Sequence, residues 1–249
     1  MHVNRPFQIA TQRHVLLVLS GGLDSTTVAA KLYRDETVHT IQAITFNYGQ
    51  RHIEAETDAA ASVADWYSIP WQMIDLTPLS LFYKSPLISA ANEPVPVNED
   101  PRRPGVAPTY VPRRNTVMLA LAALIAEQRN LNFVAYGAHA TDANYPDCTP
   151  QFAEAFSHML HVGSHPDNVV QLYAPLIDLH KAEVVELAAE LEAPIDITHS
   201  CYQGKQPACG VCDTCQSRIH AFKQAGYIDP IDYEIAIDWG DAVLFPLPE

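Results

Sequence analysis

The residues best suited to chemistry stand near the N-terminus, in the string LSGGLDST at positions 19–26. Two adjacent glycines between an apolar run and a helical run let backbone N–H groups converge on an anion at the positive end of a helix. Ser20, Ser25 and Thr26 add hydroxyl donors, whereas Asp24 repels phosphate unless a magnesium ion lies between them. The string therefore predicts a site for metal-bound pyrophosphate. A bare turn with Asp24 or Ser25 as the helix N-cap is the alternative.

A second group of reactive side chains lies near the C-terminus, where four of the five cysteines form the pattern Cys-x7-Cys-x2-Cys-x2-Cys. They are Cys201, Cys209, Cys212 and Cys215. Four thiolates at this spacing suit a tetrahedral zinc ion with no open position, which holds the fold and does no chemistry. An iron–sulfur cluster is the rival, although the C-x3-C-P element of ferredoxins is missing. Unmetallated thiols are the third alternative.

The first string resembles the S-G-G-x-D-S loop of the adenylating ATP pyrophosphatases, the PP-loop enzymes. It matches neither the ATPase loop G-x-x-x-x-G-K-[ST] nor the dinucleotide fingerprint G-x-G-x-x-G. Further strings extend the resemblance, from about His14 to about Tyr233, to the 7-cyano-7-deazaguanine synthase family. They are FNYGQRH at 46–52, TYVPRRN at 109–115, YPDC at 145–148, PLIDLHKAEV at 175–184, and SCY at 200–202 with CGVCDTC at 209–215.

The resemblance implies a ligase that uses ATP to convert 7-carboxy-7-deazaguanine and ammonia to 7-cyano-7-deazaguanine, a queuosine precursor. In such enzymes the substrate carboxylate attacks the α-phosphate, pyrophosphate leaves, and ammonia gives the amide. A second adenylation, on the amide oxygen, leads to the nitrile. The implied ligands are ATP with Mg²⁺, the deazaguanine acid and ammonia; zinc is the implied structural metal, and a homodimer stays open.

The strings also supply the expected site residues. The ATP-binding set is Leu19, Ser20, Gly21, Gly22, Leu23, Asp24, Ser25, Thr26, Phe46 and Lys181. Asp24, Ser20 and Lys181 are the expected catalytic residues, because each acts on the phosphates or their magnesium ion. The substrate-binding set is Tyr48, Gln50, Arg51, His52, Arg114, Asn115, Asp142, Tyr145 and Asp147.

Several of these predictions have a structural alternative. Arg51 and His52 could be surface residues, and Arg114 and Asn115 could begin and cap a helix. The carboxylates at 142 and 147 are expected to accept hydrogen bonds from a guanine-like base, but could instead serve loop turns.

The sequence departs from the family pattern beside the expected substrate. Arg113 stands where the pattern P-G-R-N has glycine, and residues 142–149 read DANYPDCT where the pattern reads D-x-S-G-Y-P-D-C-R. These departures leave open a paralogue that stops at the amide or joins the acid to another amine. Two other classes are less favoured. One is a PP-loop tRNA sulfurtransferase with Cys148 as sulfur carrier; the other is a degenerate nucleotide-binding regulator, which needs broken loop chemistry.

Composition narrows the class of protein. The chain has 249 residues, 48% of them hydrophobic, which is enough for a full core. It shows no signal peptide and no apolar run of about 18 residues, so a cytoplasmic protein outside the membrane is expected. The formal net charge of -14 argues against a long nucleic acid as partner. The pairs Arg102-Arg103 and Arg113-Arg114 are either solvated loop charge or contacts to a small anion.

Alternating strands and helices must position these side chains. Strands are predicted at 14–19, 38–46, 71–75, 133–136 and 169–173, and helices at 26–32, 53–68, 115–129, 150–161 and 180–192. This alternation predicts an α/β protein with a Rossmann-like, doubly wound parallel sheet and its ligand at the carboxyl ends of the strands. Seven prolines in residues 86–112 predict a long functional loop, often a lid. The resemblance implies that residues 1–195 form a PP-loop ATP-binding domain of the adenine nucleotide α-hydrolase type. It implies further that residues 196–249 form a small zinc-binding segment packed on this domain.

Overall fold

The protein is built on a parallel sheet that is wound in both directions from its middle strand. The computed structural model describes residues 12–91, 93–98 and 105–248. Five parallel strands lie in the order β3-β2-β1-β4-β5. They are β1 (Arg13–Val18), β2 (Val38–Asn47), β3 (Trp71–Asp75), β4 (Phe133–Ala135) and β5 (Gln171–Tyr173). The predicted doubly wound sheet is confirmed.

Six α-helices lie within the described residues. They are α1 (Leu23–Arg34), α2 (Ile53–Trp66), α3 (Arg114–Gln128), α4 (Pro150–Gly163), α5 (Lys181–Glu190) and α6 (Asp213–Ala225). The first five coincide with predicted helices, while α6 corrects the prediction, which places no helix after residue 192. Helix α1 begins three residues earlier than predicted, so Asp24, Ser25 and Thr26 lie in its first turn. None of the described helices is long and apolar enough to span a bilayer.

Short elements complete the described chain. The 3₁₀ helices are Thr77–Phe82, Ser89–Ala91, Ala140–Asn144, Pro146–Cys148 and Ile195–Ile197. Two further strands, β6 (Tyr227–Ile228) and β7 (Val243–Leu244), pair in parallel near the C-terminus.

The sheet is covered on both faces, which explains why β1 is apolar at successive positions. Val15 and Leu17 pack on one face in a cluster that includes residues of α1, α2, α5 and α6. Leu16 packs on the opposite face in a second cluster, which includes residues of α3 and α4. All three side chains are fully buried, as expected for a central strand of a three-layer protein.

The C-terminal segment shares the core of the sheet. Ala221 and Phe222 of α6 and Phe245 belong to the same buried cluster as residues of α1 and α5. The segment therefore packs directly on the layer of helices beside the phosphate loop. The division of the chain at residue 195 stays a prediction.

Strand order fixes where a ligand can bind. From β1 the chain runs outward through β2 and β3, and then returns to place β4 on the other side of β1. The crevice of such a sheet lies at this switch point, outside the carboxyl ends of β1 and β4. Residues 19–22 follow β1 and residues 136–139 follow β4, so both segments border the crevice.

The proline-rich loop is described in part. Its residues 93–98 contact the cysteine-bearing segment, since Asn98 N donates a hydrogen bond to the carbonyl oxygen of Val211 at 2.8 Å. Val95 packs against the buried cysteines. The pair Arg102-Arg103 lies outside the described residues, and a lid function for the loop stays a prediction.

Candidate active site

A cavity of about 870 Å³ lies outside the carboxyl ends of β1, β2 and β4. It brings together most of the expected site residues, namely Leu19, Ser20, Gly22, Leu23, Asp24, Ser25, Phe46, Tyr48, His52, Arg114, Asn115, Asp142, Tyr145 and Lys181. Five expected residues do not line it: Gly21, Thr26, Gln50, Arg51 and Asp147. Their described contacts are with other parts of the protein, and a ligand contact for them stays a prediction.

The loop at 19–22 is held in shape by its own hydroxyl groups. Ser25 Oγ donates to the carbonyl oxygen of Gly22 at 3.1 Å and accepts from Ser20 N at 3.2 Å. Gly22 itself is the N-cap of α1, in an extended conformation, so neither Asp24 nor Ser25 caps the helix. The first N–H groups of a 12-residue helix are therefore directed at the cavity without a side-chain cap, as an anion site requires.

Gly21 locks this loop between two other segments. Its backbone has a positive φ of 74°, and a Cβ there would clash with the backbone and side chain of Ala59 and with Ala60 N in α2. On the other side, His199 N donates to the carbonyl oxygen of Gly21 at 3.0 Å. The phosphate loop is thus clamped between α2 and the segment that leads into Cys201.

Four titratable side chains meet beside the loop: Asp24, His139, Asp142 and Lys181. Lys181 Nζ donates to Asp24 Oδ2 at 2.5 Å and lies 3.2 Å from His139 Nε2. His139 Nε2 lies 3.7 Å from Asp24 Oδ1 and 3.4 Å from Asp142 Oδ2. Asp24 Oδ1 is buried and has no hydrogen-bond partner among the described residues. This oxygen is available to a cation brought in with the ligand.

The two acids of this cluster differ in their electrostatics. Burial raises the pKa of Asp24, but the charges of Lys181 and His139 outweigh it and hold the pKa below its ordinary value. For Asp142 the effect of burial is larger than that of the charges of His139 and Lys181, so the pKa is raised. Burial and the charge of Lys181 lower the pKa of His139. These surroundings favour the ionised form of Asp24 and the uncharged form of His139.

His139 is a functional candidate that none of the six strings marks. Its side chain is almost fully buried, and its Nδ1 has no hydrogen-bond partner among the described residues. The signal that could reveal it is topological. A histidine shortly after β4 must lie at the switch point once β4 is recognised as the neighbour of β1.

Arg114 supplies positive charge to the wall of the cavity. Its guanidinium donates one hydrogen bond to the Tyr48 hydroxyl at 3.2 Å and stacks 5.6 Å from the centre of the Tyr48 ring. No described carboxylate forms an ion pair with it, although it lines the cavity. A guanidinium with unused donors in a cavity suits an anionic ligand. Arg114 is also the first residue of α3, as the structural alternative expects, and a ligand contact for it stays a prediction.

Gln50 and Arg51 act on the backbone around the cavity. Gln50 Nε2 donates to the carbonyl oxygen of Phe46 at 3.0 Å, and its Oε1 accepts from Tyr48 N at 2.8 Å. Arg51 is exposed and donates to the carbonyl oxygens of Pro86 and Glu93 at 2.9 and 2.8 Å. Gln50 therefore shapes the end of β2, and Arg51 ties the proline-rich loop to it.

Asp147 serves the start of α3. Its Oδ2 accepts from Asn115 N at 3.0 Å, and Asn115 Nδ2 donates to Cys148 Sγ at 3.1 Å. Cys148 is 6% exposed, and burial raises the pKa of its thiol. A sulfur carrier needs an accessible thiolate, so this environment argues against a sulfurtransferase role for Cys148.

The four clustered cysteines form a buried donor set. Their sulfur atoms lie within 4.8 Å of one another, and those of Cys209 and Cys215 are 3.9 Å apart. Tetrahedral zinc with Zn–S bonds of about 2.3 Å places sulfurs about 3.8 Å apart, so the donor set fits such a metal. Cys209 N and Cys212 N each donate to a cysteine sulfur at 3.4 Å, which stabilises thiolate ligands.

Helix α6 starts at this cysteine cluster and forms one wall of the cavity. Thr214, Ser217, His220 and Gln224 line it, at spacings of three and four that place them on one helix face. Three further residues line the cavity, namely Glu56, Ser200 and Tyr202. The six strings contain Ser200 and Tyr202 but give them no role, and α6 lies mostly beyond the last string.

These features define the class of protein. A parallel α/β sheet carries an S-G-G-x-D-S phosphate loop at its switch point, with an acid, a lysine and a histidine beside the loop. This combination is typical of proteins that bind and cleave a nucleoside triphosphate.

Comparison with known sequences identifies the family. A sequence profile described as "Queuosine biosynthesis protein QueC" matches residues 14–226. A 7-cyano-7-deazaguanine synthase of Methanospirillum hungatei is 38% identical over 87% of this chain and 97% of its own. That of Oceanobacillus iheyensis is 36% identical over 90% of this chain and 99% of its own. The chain belongs to the QueC family, as the six strings predict.

Solved structures give more distant similarities. A U34-tRNA thiolase from Methanococcus maripaludis, solved with its [4Fe-4S] cluster, is 18% identical with a TM-score of 0.48, covering 88% of this chain and 70% of that one. An NMN synthetase from Francisella tularensis is 16% identical with a TM-score of 0.45, covering 79% and 70%.

Proposed function

We propose that this protein is a 7-cyano-7-deazaguanine synthase, a ligase that forms a C–N bond from 7-carboxy-7-deazaguanine and ammonia at the expense of ATP. The observation that carries the proposal is that one cavity joins the phosphate loop and its Asp24–Lys181 pair to the cation of Arg114, which forms no ion pair with a described carboxylate. An adenylating enzyme needs both in one space, because the carboxylate must reach the α-phosphate of ATP.

ATP occupies the loop side of the cavity in this proposal. The N-terminus of α1 and the Ser20 and Ser25 hydroxyls bind the β- and γ-phosphates, and Lys181 neutralises their charge. Asp24 Oδ1, which has no hydrogen-bond partner in the part of the chain that the structure describes, fits a magnesium ion, with Asp142 close to the same histidine. Magnesium, when bound, offsets the negative charge that develops on the leaving pyrophosphate.

The reaction is redox-neutral and uses the site twice. A carboxylate oxygen bonds to the α-phosphorus as the bond to pyrophosphate breaks, and ammonia then displaces AMP from the acyl carbon. The amide oxygen is adenylated by a second ATP, and loss of AMP and of the remaining N–H protons forms the nitrile. The chain's own part is to hold the two substrates in line and to exclude water from the acyl-adenylate.

The other expectations complete the proposal. Zinc, held by Cys201, Cys209, Cys212 and Cys215, is the structural metal, since four sulfur donors fill its coordination sphere. All substrates are small molecules. A cytoplasmic location and a homodimer stay predictions.

The test is incubation of the purified protein with 7-carboxy-7-deazaguanine, MgATP and ¹⁵N-ammonium, with product mass and released nucleotide measured together. The expected result is a ¹⁵N-nitrile with two AMP per product, because each of two oxygens is removed as AMP. If the product is an amide, or a conjugate with another amine, and one AMP is released per product, the protein is a paralogue and not the synthase. Release of ADP would exclude adenylation chemistry altogether.

A further inference from the structure

Glu56 is a cavity carboxylate to which neither the motifs nor the proposed reaction give a role. It lies in the first turn of α2 with its side chain 14% exposed, on the part of the cavity wall formed by Tyr48 and His52. Gln50 Nε2 donates to its Oε2 at 2.8 Å, and His52 Nε2 lies 3.5 Å from the same oxygen. No other described residue forms a hydrogen bond or an ion pair with the Glu56 carboxylate. One oxygen is therefore oriented by the protein, and hydrogen-bonding capacity remains on the carboxylate.

The other acidic residues of the cavity each have a role that the structure explains. Asp24 and Asp142 belong to the cluster around Lys181 and His139. Glu183 accepts a hydrogen bond from His180 N at 2.6 Å as part of the capping box of α5. Asp213 lies in the first turn of α6, where a negative charge stabilises the helix.

The surroundings of Glu56 suit a flat, bipolar ligand. Aromatic side chains of Phe46, Tyr48, Tyr145 and Tyr202 line the same cavity, and planar heterocycles stack well on such rings. Arg114 and Glu56 both line this cavity, so a cation and a carboxylate border the same space. A 7-carboxy-7-deazaguanine molecule is complementary to this pair. It carries a carboxylate on its five-membered ring and two adjacent N–H donor groups, N1–H and the 2-amino group, on its six-membered ring.

On the basis of the function proposed above, we propose that Glu56 is the specificity-determining residue that reads the N1–H and 2-amino edge of the deazaguanine base. Two carboxylate oxygens match two neighbouring donors, whereas the Watson–Crick edge of adenine offers one donor and one acceptor. Glu56 therefore selects the acid substrate and not ATP. Gln50 is its positioning residue, because its side chain fixes both the carboxylate and the end of β2.

Burial supports the same assignment. It raises the pKa of Glu56 to about 7, against the hydrogen bond from Gln50 and the charge of Arg114. A ligand with two N–H donors stabilises the ionised form that burial disfavours, so bound base and carboxylate stabilise each other.

The experiment compares binding of 7-carboxy-7-deazaguanine with binding of its analogue lacking the 2-amino group, by calorimetry in the presence of a non-hydrolysable ATP analogue. The native protein is expected to bind the complete base about 10- to 100-fold more tightly, as one lost charged hydrogen bond in a buried site implies. In Glu56→Gln the preference is expected to fall to within about threefold, while the affinity for the ATP analogue is unchanged. Glu54→Gln, an exposed acid in the same helical turn, is the matched control and keeps the native preference.

Two results would overturn the assignment. One is equal affinity of the native protein for the two bases, a result that requires no variant to fold. The other is a Glu56→Gln protein that keeps the preference, or that loses affinity for the ATP analogue instead. Failure of the proposed function is distinguishable, because native protein that binds neither base excludes the substrate itself.

Discussion

At the scale of single residues, the cavity holds acids of two kinds. The charge of Lys181 and its hydrogen bond hold the pKa of Asp24 below its ordinary value, which favours the ionised form that a residue facing a metal-bound phosphate needs. Burial raises the pKa of Glu56 to about 7, and a ligand that donates hydrogen bonds would stabilise its ionised form. The same chemical group thus serves the nucleotide on one side of the cavity and, we propose, the base on the other.

Replacement of Asp24 by Asn, or of Ser20 by Ala, is expected to lower the rate of adenylation at least about 100-fold, because each group acts on charge that develops in the transition state. The fold should persist, since both side chains border a cavity. ATP–pyrophosphate exchange measures the effect, and circular dichroism checks the fold. Asp65→Asn, on the exposed face of α2, is the control. Native exchange rates in either active-loop variant would refute the assignment of the loop.

Glu56 also predicts how stability depends on pH. Its pKa of about 7 in the folded protein lies above that of an unfolded glutamate, so the folded protein binds more protons between about pH 4.5 and 7, and stability falls as pH rises through this window. His52 acts in the opposite direction, since burial lowers its pKa to about 4 and stability rises up to about pH 6.5.

The difference between Glu56→Gln and native protein isolates the glutamate, because His52 is present in both. The free energy of unfolding of the variant relative to native protein is expected to rise by on the order of 3 kcal/mol between pH 4.5 and pH 8. Urea unfolding of the ligand-free proteins at both pH values measures it. A difference that is constant with pH would show that Glu56 titrates normally.

At the scale of elements, the departure of this sequence at Arg113 has a structural explanation. Arg113 is the N-cap of α3 and has a left-handed backbone, with φ 59° and ψ 17°. Glycine adopts this conformation without strain, which is why the family pattern has glycine there. The arginine side chain is exposed and does not line the cavity. The expectation that this departure alters the substrate site is therefore not supported at position 113.

Arg113→Gly is expected to stabilise the protein by about 1 kcal/mol, because it removes the strain of a left-handed non-glycine residue. The midpoint of thermal unfolding should rise by about 2–4 °C, and the rate of product formation should not change. Arg129→Gly, at the C-cap of α3 where φ is -96°, is the contrasting variant and should not stabilise. A lower unfolding midpoint for Arg113→Gly would mean that the side chain makes a stabilising contact.

The sequence predicts best the strands and helices whose apolar residues are buried. Strands β1 and β2 and helices α1 and α2 have apolar residues that are buried against the sheet or within it, so periodicity reveals them. The sequence pattern does not reveal helix α6, because one of its faces is buried in the core and another, with the polar side chains of Thr214 and Ser217, borders the cavity. Sequence strings find residues whose neighbours are also distinctive, such as Ser20. They miss His139, whose importance arises from the pairing of β4 with β1.

At the scale of the whole molecule, the cysteine cluster belongs to the active-site wall as well as to the C-terminal segment. Cys215 lies in the first turn of α6, and α6 contributes both to the core and to the cavity. Cys212→Ser is expected to lose the metal and to lower the thermal midpoint, because folding of such a cluster is coupled to metal binding. Elemental analysis should find one zinc per native chain and none in the variant. If the analysis finds iron and acid-labile sulfide, the four cysteines hold an iron–sulfur cluster and not zinc.

The hydrogen bond from His199 N to the Gly21 carbonyl oxygen has a thermodynamic consequence. It joins the chain leading into Cys201 to the loop that receives ATP, and His199 Nε2 lies 2.9 Å from the carbonyl oxygen of Cys201. If this contact couples the two sites, linkage requires reciprocity. Whatever factor the metal adds to nucleotide affinity, the nucleotide must add to metal affinity, and couplings of this kind are typically about 5- to 150-fold. A saturating ATP analogue should therefore reduce the fraction of zinc that a competing chelator holds at equilibrium. An equal fraction with and without nucleotide would mean that the contact at Gly21 does not couple the two sites.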